Sequence, residues 1–553
     1  MKAHLMHRNR DIDPDRELPP GADALAEDLG METLFAAMAQ GSDFLHDVAR
    51  ATMLTSLTDP EEIAYRHDVV DDCLAHPTAI RQLYDLATQA ALGHRKLTYA
   101  LSRRPSSILS DSVRKMDFFV DILRQLRVIA DHATDYHSDG FTTLFATLTD
   151  QLDDSYFADV EGHLQRLRFR DGVLLSAQLT QGCKGTNYVL REQPARQRWF
   201  HRLLPATRPG LTFKIPDRDQ AGANAVSELR DRGINLAADA LAQSTDHIIR
   251  FFTTLRSELA FYVGCLNLYD QLAHRRASVC RPQISPTSGA GWSARDLYDV
   301  ALALRTDRPV VGNDLAADDA RLVVITGANQ GGKSTFLRAI GLAQVMLQCG
   351  MFVAADSFRA SPRAGVFTHF KREEDATKQR GKLDEELHRM SDLADHLHPA
   401  SILLCNESFA STNEREGSQI ADAVVRALVE SRVSVVLVTH LYELADRLHH
   451  QHPDHALFLR AERHADGHRT FKLLKGTPLP TSYGQDLYNQ IFNSASASGN
   501  AAHTTTGTAH PSAPAELFGQ RLVTPTPSAQ PAARNREGGG PRHGDPVVAC
   551  DPS

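Results

Sequence analysis

The spacing of apolar residues predicts helices through the first part of the chain. Apolar positions recur every three or four residues between residues 30 and 135, which places them on one face of a helix. Two stripes show this spacing: Leu83, Leu86, Ala87, Ala90 and Ala91, and then Phe118, Phe119, Ile122, Leu123, Leu126 and Ile129. Pro60 and Pro77 lie near expected helix starts, where a missing N–H group does no harm.

A second helical region follows a short stretch of different pattern. Residues 166–191 contain two turn signals, ending at Gly172 and Gly185, and the segment after each turn alternates between apolar and polar residues. We predict a β-hairpin there. Residues 226–275 are again helical, and the apolar stripe in their second half is better explained by core packing than by a groove for a partner.

From about residue 295 the pattern becomes an alternation of strands and helices. Three short apolar runs are typical of strands buried on both faces: RLVVIT (321–326), ASILLCNE (400–407) and VSVVLVTH (433–440). Helical patterns follow the first two runs. The alternation predicts a parallel α/β domain, so the predicted fold class is α + α/β.

The two ends of the chain read differently from the middle. We predict a flexible leader over 1–28, without the apolar segment of a signal peptide. Pro, Gly, Ser, Thr and Ala dominate 494–553, which predicts a disordered low-complexity tail. Between them lie a helical region (29–292), which contains a β and basic insert (166–218), and the α/β domain (293–493).

Composition and charge exclude several classes of protein. The 60 Lys and Arg against 68 Asp and Glu give a net charge of −8, so any contact with DNA requires a local basic patch. The seven cysteines form no C-x-x-C pair, which argues against a zinc site or a disulfide framework and for a reducing compartment. No apolar run is long enough for a membrane helix. We expect a cytoplasmic protein without membrane contact.

The segment GANQGGKS (327–334) fits the phosphate-loop pattern G-x-x-x-x-G-K-[ST]. It follows a predicted strand and opens a predicted helix, which is the context that phosphate binding requires. A plain Gly-rich turn is a much weaker explanation. Lys333 is expected to reach the β- and γ-phosphates, and Ser334 to bind Mg²⁺. The predicted nucleotide-binding residues are Gly327, Ala328, Asn329, Gln330, Gly331, Gly332, Lys333, Ser334 and Thr335.

Polar residues end the next two predicted strands. Asn406 and Glu407 follow one strand, and His440 follows the other. Glu407 is placed to polarise an attacking water, and His440 to sense a γ-phosphate. Each alone would more often be an ordinary strand-end residue, but together with the loop they predict a hydrolytic site whose catalytic residues are Lys333, Glu407 and His440.

These motifs resemble the MutS family of DNA mismatch-repair ATPases. ITGANQGGKST (325–335) is similar to the family's phosphate loop, LLCNESFASTNEREG (403–417) to its Walker B strand and LVTHLYEL (437–444) to its histidine switch. Further similar segments occur in family order: LTSLTDPEEIAYRHDVV (54–70), CRP (280–282), VVGND (310–314), GMFVAADSFRASP (350–362), GVFTHF (365–370) and KGTPLPTSYG (475–484). The resemblance covers about residues 30–490.

The resemblance implies a helical core and lever region with a clamp-like insert, followed by a P-loop, ABC-like ATPase domain. It implies ATP and Mg²⁺ as cofactors, with Ser334 and, through water, Asn406 at the metal. It also implies a nucleoid-associated homodimer that acts on mismatched or branched DNA with other repair proteins. The candidate DNA contacts are Lys184, Arg191, Arg196, Arg198 and Arg202, for which a solvated charged face is an equally good explanation.

Four departures from the family pattern modify this expectation. The chain has no F-x-E motif and no room for a mismatch-reading region before residue 293. Asn406 stands where the Walker B Asp belongs, which predicts weaker Mg²⁺ dependence and slow turnover. Gly381 falls on the family's trans-acting serine, beside Lys382, and we expect little folded chain after Gly484 for dimerisation helices. Two functions therefore stay open: a DNA-acting ATPase, and a nucleotide-gated scaffold that binds a protein partner.

Overall fold

The structure is a computed structural model. It describes residues 1–13, 16–97, 104–170, 172–182, 184–192, 211–285, 291–318, 320–372, 381–451, 456–464 and 469–480. The predicted tail, 494–553, lies outside these residues. No helix within the described ranges is both long enough and apolar enough to cross a membrane.

The first part of the chain is helical, as predicted. Its helices are α1 (Ala22–Leu29), α2 (Glu32–Ala39), α3 (Asp43–Leu54), α4 (Pro60–Ala75), α5 (Pro77–Gly93), α6 (Pro105–Asp131), α7 (Asp139–Gln151), α8 (Asp154–Leu167) and α9 (Gln220–His274), with a 3-10 turn at His94–Leu97. Pro60 and Pro77 occupy the first turns of α4 and α5, as expected. Helix α9 has 55 residues and is about 80 Å long.

Helix α9 is buried along its C-terminal half and exposed along much of its N-terminal half. The buried half packs against α2, α3, α5 and α6. This arrangement confirms that the apolar stripe in the second half of α9 is core.

The predicted hairpin is confirmed, and it packs on the N-terminal half of α9. It consists of β1 (Leu174–Leu179) and β2 (Gly185–Arg191), which pair in antiparallel fashion. A Cβ atom at Gly233 of α9 would overlap the side chain of Leu175, so the glycine permits this close approach.

The first residues of the chain form part of the core. Leu5 is fully buried. The Tyr262 hydroxyl donates to the carbonyl oxygen of Leu5 at 2.5 Å, and the Leu5 N–H donates to the Glu258 carboxylate at 2.6 Å. Further along, α1 packs against a strand of the α/β part. The prediction of a flexible leader over 1–28 is therefore wrong for the described residues, because its partners lie far away in the sequence.

Glu258 makes the stability of this contact depend on pH. Burial raises its pKa from 4.5 to about 7, against the opposing effect of the Leu5 and Ile12 N–H groups. When folding raises the pKa of a carboxyl, the protonated form favours the folded state. This contribution to the free energy of unfolding is complete below the pKa of the unfolded chain, and it is lost as the pH rises through the pKa of the folded protein.

We therefore expect Glu258→Gln to flatten the pH dependence of stability between pH 4.5 and 7. The amide is neutral at every pH and keeps an acceptor for the Leu5 N–H, so it does not incur the cost of ionisation, about 3 kcal/mol at neutral pH. Melting temperatures across this range, compared with those of the wild-type chain, measure the difference. Parallel pH profiles for the two proteins would contradict the assignment.

The second part of the chain contains a six-stranded sheet with the order β12-β11-β6-β10-β9-β8. Its strands are β6 (Leu322–Thr326), β8 (Val366–Phe370), β9 (Ile402–Asn406), β10 (Ser434–Val438), β11 (Ala456–Arg463) and β12 (Arg469–Lys475). The five strands from β11 to β8 are parallel, which confirms the predicted α/β arrangement, and β12 adds an antiparallel edge.

A second, four-stranded sheet has no counterpart in the sequence prediction. Its order is β3-β7-β4-β5, and its strands are β3 (Gln283–Ile284), β4 (Trp292–Leu297), β5 (Asn313–Ala317) and β7 (Ser357–Ala360). The predicted boundary at residues 292/293 falls inside β4. The helices of this part are α10 (Val300–Arg305), α11 (Lys333–Gln348), α12 (Lys382–Ala394), α13 (Glu414–Glu430) and α14 (Tyr442–Gln451).

Helix α11 joins the two parts. At its C-terminal end the Gln348 amide donates to the carbonyl oxygen of Leu57 at 2.7 Å, and the Leu57 N–H donates to the carbonyl oxygen of Gln348 at 3.0 Å. One cluster of buried apolar side chains includes residues from both parts. A displacement of α11 would therefore shift the residues of the helical region that are bonded to it.

Candidate functional site

The loop from Gly327 to Gly332 connects β6 to the first turn of α11. Its backbone has positive φ at Gly327 (112°), Gln330 (60°) and Gly332 (89°). A Cβ atom at Gly327 would lie 2.9 Å from the backbone nitrogen of Ala461 in β11. Glycine is needed at this point both for the backbone conformation and for space.

Lys333 is the first residue of α11, and its side chain folds back into the loop. Its Nζ donates to the carbonyl oxygens of Gly327 and Ala328, at 2.9 and 3.0 Å. Lys333 is 6% exposed, and this burial lowers its pKa, with partial compensation from Glu407. The loop thus holds a desolvated cation at a helix N-terminus, where an anion is favoured.

Asn406 and Ser334 meet at the end of β9. The Ser334 hydroxyl donates to Oδ1 of Asn406 at 2.8 Å. Both side chains are half-buried. The structure therefore brings together the two residues that the sequence assigned to the metal.

Glu407 lies beside His440, as predicted from the ends of their strands. The Glu407 carboxylate is 3.8 Å from Nδ1 of His440. The Glu407 N–H donates to the carbonyl oxygen of Val438 at 2.9 Å, and φ of Glu407 is +55°. The pKa of Glu407 is lowered, above all by His440 and then by the charges of Lys333 and Lys371. This carboxylate stays ionised and keeps its capacity to accept hydrogen bonds.

Buried residues fix the backbone that follows Glu407. The His369 ring is fully buried and stacks on Phe409, with 5.5 Å between ring centroids. Its Nδ1 lies 2.7 Å from the Ser408 hydroxyl. Burial lowers the pKa of His369 to about 4, so the ring is neutral at physiological pH. It has a positioning role for the loop that carries Glu407.

Two basic residues near the site were missed by the sequence analysis. The Lys371 N–H donates to the carbonyl oxygen of Asn406 at 3.0 Å, which places Lys371 beside Glu407. Arg469 of β12 donates to Oε1 of Gln330 at 2.9 Å. Lys371 directly follows the apolar segment GVFTHF, so a search for polar strand ends could have found it. The sequence around Arg469 shows no comparable signal.

The other predicted site residues make fewer described contacts within the site. Asn329 is exposed in the loop, and Thr335 is half-buried in the first turn of α11. Lys184 is exposed at the hairpin turn, and Nε of Arg191 donates to the Ser176 hydroxyl at 2.9 Å. Three further DNA-contact candidates lie outside the described residues: Arg196, Arg198 and Arg202.

Two family models match the chain. A model of the MutS2 N-terminal domain matches residues 58–275, and a model of MutS domain V matches residues 323–505. The second match extends past the predicted domain boundary at residue 493. The helical region and the α/β region are thus both accounted for, in the order that the resemblance implied. The chain belongs to the MutS family.

Individual relatives match shorter segments. The mitochondrial DNA mismatch repair protein mutS homolog of Sarcophyton glaucum is 28% identical over 191 residues (34% of this chain and 19% of the relative). MutS protein homolog 4 of Mus musculus is 28% identical over 211 residues (37% and 21%). The DNA mismatch repair protein MutS of Synechococcus sp. (strain CC9902) is 27% identical over 316 residues (55% and 34%). The chain therefore spans about a fifth to a third of these relatives' lengths.

Proposed function

We propose that this chain binds ATP in the loop at 327–335 and hydrolyses it slowly, as a DNA-binding ATPase in mismatch repair or recombination-type DNA maintenance. The position of Lys333 carries the proposal. A buried cation inside a glycine loop at a helix N-terminus calls for a bound anion, and the ionised Glu407 lies near enough to act on its terminal group.

The residues at the loop fit Mg²⁺ together with a nucleotide. Mg²⁺ prefers oxygen ligands. The Ser334 hydroxyl would supply one, and Oδ1 of Asn406, which lies 2.8 Å from that hydroxyl, would accept a hydrogen bond from a water bound to the metal. Among the residues that the structure describes, no group of three or more His, Cys, Asp or Glu side chains is arranged to hold a metal. The phosphates would therefore supply part of the ligand set, and Mg²⁺ when bound would neutralise their charge.

The protein's own residues would divide the chemistry between them. Lys333 binds the phosphates and offsets their charge. Glu407 orients the attacking water and accepts its proton, and His440, close to that carboxylate, senses the γ-phosphate. Ser334 and Asn406 orient the metal, Asn406 through water.

Helix α11 gives the site a physical link to the rest of the protein. Its N-terminus is the phosphate loop, and its C-terminus is hydrogen-bonded to Leu57 of the helical region. Helix α9 then carries the hairpin at 174–191. We propose that ATP binding and hydrolysis move helix α9 and the hairpin that packs on it. We further propose that the hairpin contacts DNA backbone and that the protein acts as a homodimer. Other repair proteins are further proposed partners.

The decisive experiment measures steady-state ATP hydrolysis by the full chain, with and without DNA, together with DNA binding at a stated salt concentration. The DNA panel contains homoduplex, mismatched, branched and single-stranded molecules. ATP hydrolysis that one of these structures stimulates supports the proposal. Absence of ATP binding by the wild-type chain would refute it.

The neutral Asn406 provides a separate test of the metal site. We expect Asn406→Asp to raise kcat severalfold and to increase the affinity for Mg²⁺, because a charged carboxylate binds the metal's water shell more strongly than a neutral amide does. Magnesium titrations of ATP hydrolysis compare the two proteins. Unchanged kcat and unchanged Mg²⁺ affinity would remove Asn406 from the metal site.

A second candidate function is a nucleotide-gated scaffold that binds a protein partner and hydrolyses little ATP. Asn406 favours it, since an amide at this position weakens the field on the metal. Zero turnover with both Mg²⁺ and Mn²⁺, in a chain that binds ATP, would support the scaffold over the ATPase.

A further inference from the structure

The hairpin formed by β11 and β12 is a wall of the phosphate loop. A Cβ atom at Gly331 would lie 2.7 Å from Cβ of Ala461 in β11, and one at Gly332 would lie 3.5 Å from Cβ of Phe471 in β12. The loop glycines therefore allow this hairpin to approach. A side chain at the start of β12 is within reach of whatever the loop binds.

Arg469 is the first residue of β12, and it points at the loop. Its Nη1 donates to Oε1 of Gln330 at 2.9 Å. Its Nε is buried and has no hydrogen-bond partner among the described residues. A buried N–H group without a partner costs free energy. The guanidinium has five N–H donors in a planar fork that suits phosphate oxygens.

The charges around Arg469 also require an anion. Arg469 lies close enough to Lys333 for their two positive charges to repel each other, and the Glu407 carboxylate offsets only part of this charge. Two cations held together at one loop repel each other. A polyphosphate bound between them would attract both and so offset the repulsion.

We propose that Arg469 is a further phosphate-binding residue of this site, whose guanidinium donates to the phosphate chain of the bound nucleotide. The proposal rests on the ATP site proposed above. Gln330 holds the guanidinium beside the loop through one N–H group, and the fork has further N–H donors for phosphate oxygens. Arg469 thus places a second cation at the loop, besides the lysine of the motif.

Two substitutions of Arg469 separate this role from a purely structural one, because one removes the positive charge and the other keeps it. Arg469→Gln is expected to weaken binding of the non-hydrolysable analogue AMP-PNP, with Mg²⁺, by about tenfold or more. Arg469→Lys, which keeps a charge, should recover part of the affinity.

Lys475→Gln is the matched control, because Lys475 is exposed at the opposite end of β12 and the substitution removes one positive charge from the same strand. It should bind AMP-PNP as the wild-type chain does. Unchanged melting temperatures show that all variants fold. Equal loss in Arg469→Gln and Arg469→Lys, or wild-type affinity in Arg469→Gln, would overturn the assignment of Arg469 alone. A wild-type chain that fails to bind AMP-PNP would overturn the ATP site as well.

Discussion

Glu407→Gln is expected to lower the turnover of ATP by at least about 100-fold while ATP binding persists. Glutamine has the shape of glutamate but cannot accept a proton from the attacking water, and loss of a general base costs about 100- to 10,000-fold. The lowered pKa of Glu407 keeps the wild-type carboxylate ionised for this role. Single-turnover hydrolysis and equilibrium binding of ATP measure the two quantities separately.

Glu443→Gln is the matched control for this substitution. Glu443 is exposed in the first turn of α14, which follows the His440 strand end, so the control removes a neighbouring carboxylate outside the site. It should keep wild-type turnover. Wild-type turnover in Glu407→Gln would exclude Glu407 from the chemistry, and loss of ATP binding would assign it to nucleotide binding.

The central strands and the residues at their ends were predictable because they depend on local pattern. Strands β6, β9 and β10 are buried on both faces, so each appears in the sequence as an unbroken apolar run. Parallel strands bring their carboxyl ends to one edge of a sheet. That rule alone places Glu407 near His440, and the phosphate-loop motif places Lys333.

What the sequence could not predict depends on contacts between distant residues. Leu5 is held by Glu258 and Tyr262, which lie about 250 residues further along the chain. The first residues look like a polar leader because their partners are invisible in their own composition. Arg469 reaches the loop only because β12 folds back antiparallel beside β11. The four-stranded sheet was missed for the same reason, since its short strands pair across distant segments.

Gly350 lies where segments that are distant in the sequence come into contact. It follows α11 and has φ of +73°, a conformation that favours glycine. A Cβ atom at Gly350 would overlap Cβ of Arg66 in α4. The Arg66 side chain is itself buried, and its Nε donates to the carbonyl oxygen of Met6 at 2.8 Å. The end of α11, helix α4 and the first residues of the chain therefore meet there.

Gly350→Ala is accordingly expected to destabilise the protein by about 3 kcal/mol or more. The left-handed backbone contributes about 1–2 kcal/mol, and displacing Arg66 contributes a similar amount. Gly41→Ala is the control, because Gly41 has φ of +85° and no described atom lies within 4 Å of a Cβ built there. Denaturant unfolding of both variants isolates the steric contribution, since the backbone cost is shared. Equal destabilisation by the two substitutions would show that the contact between Gly350 and Arg66 relaxes freely, and that α11 is not held rigidly against the helical region.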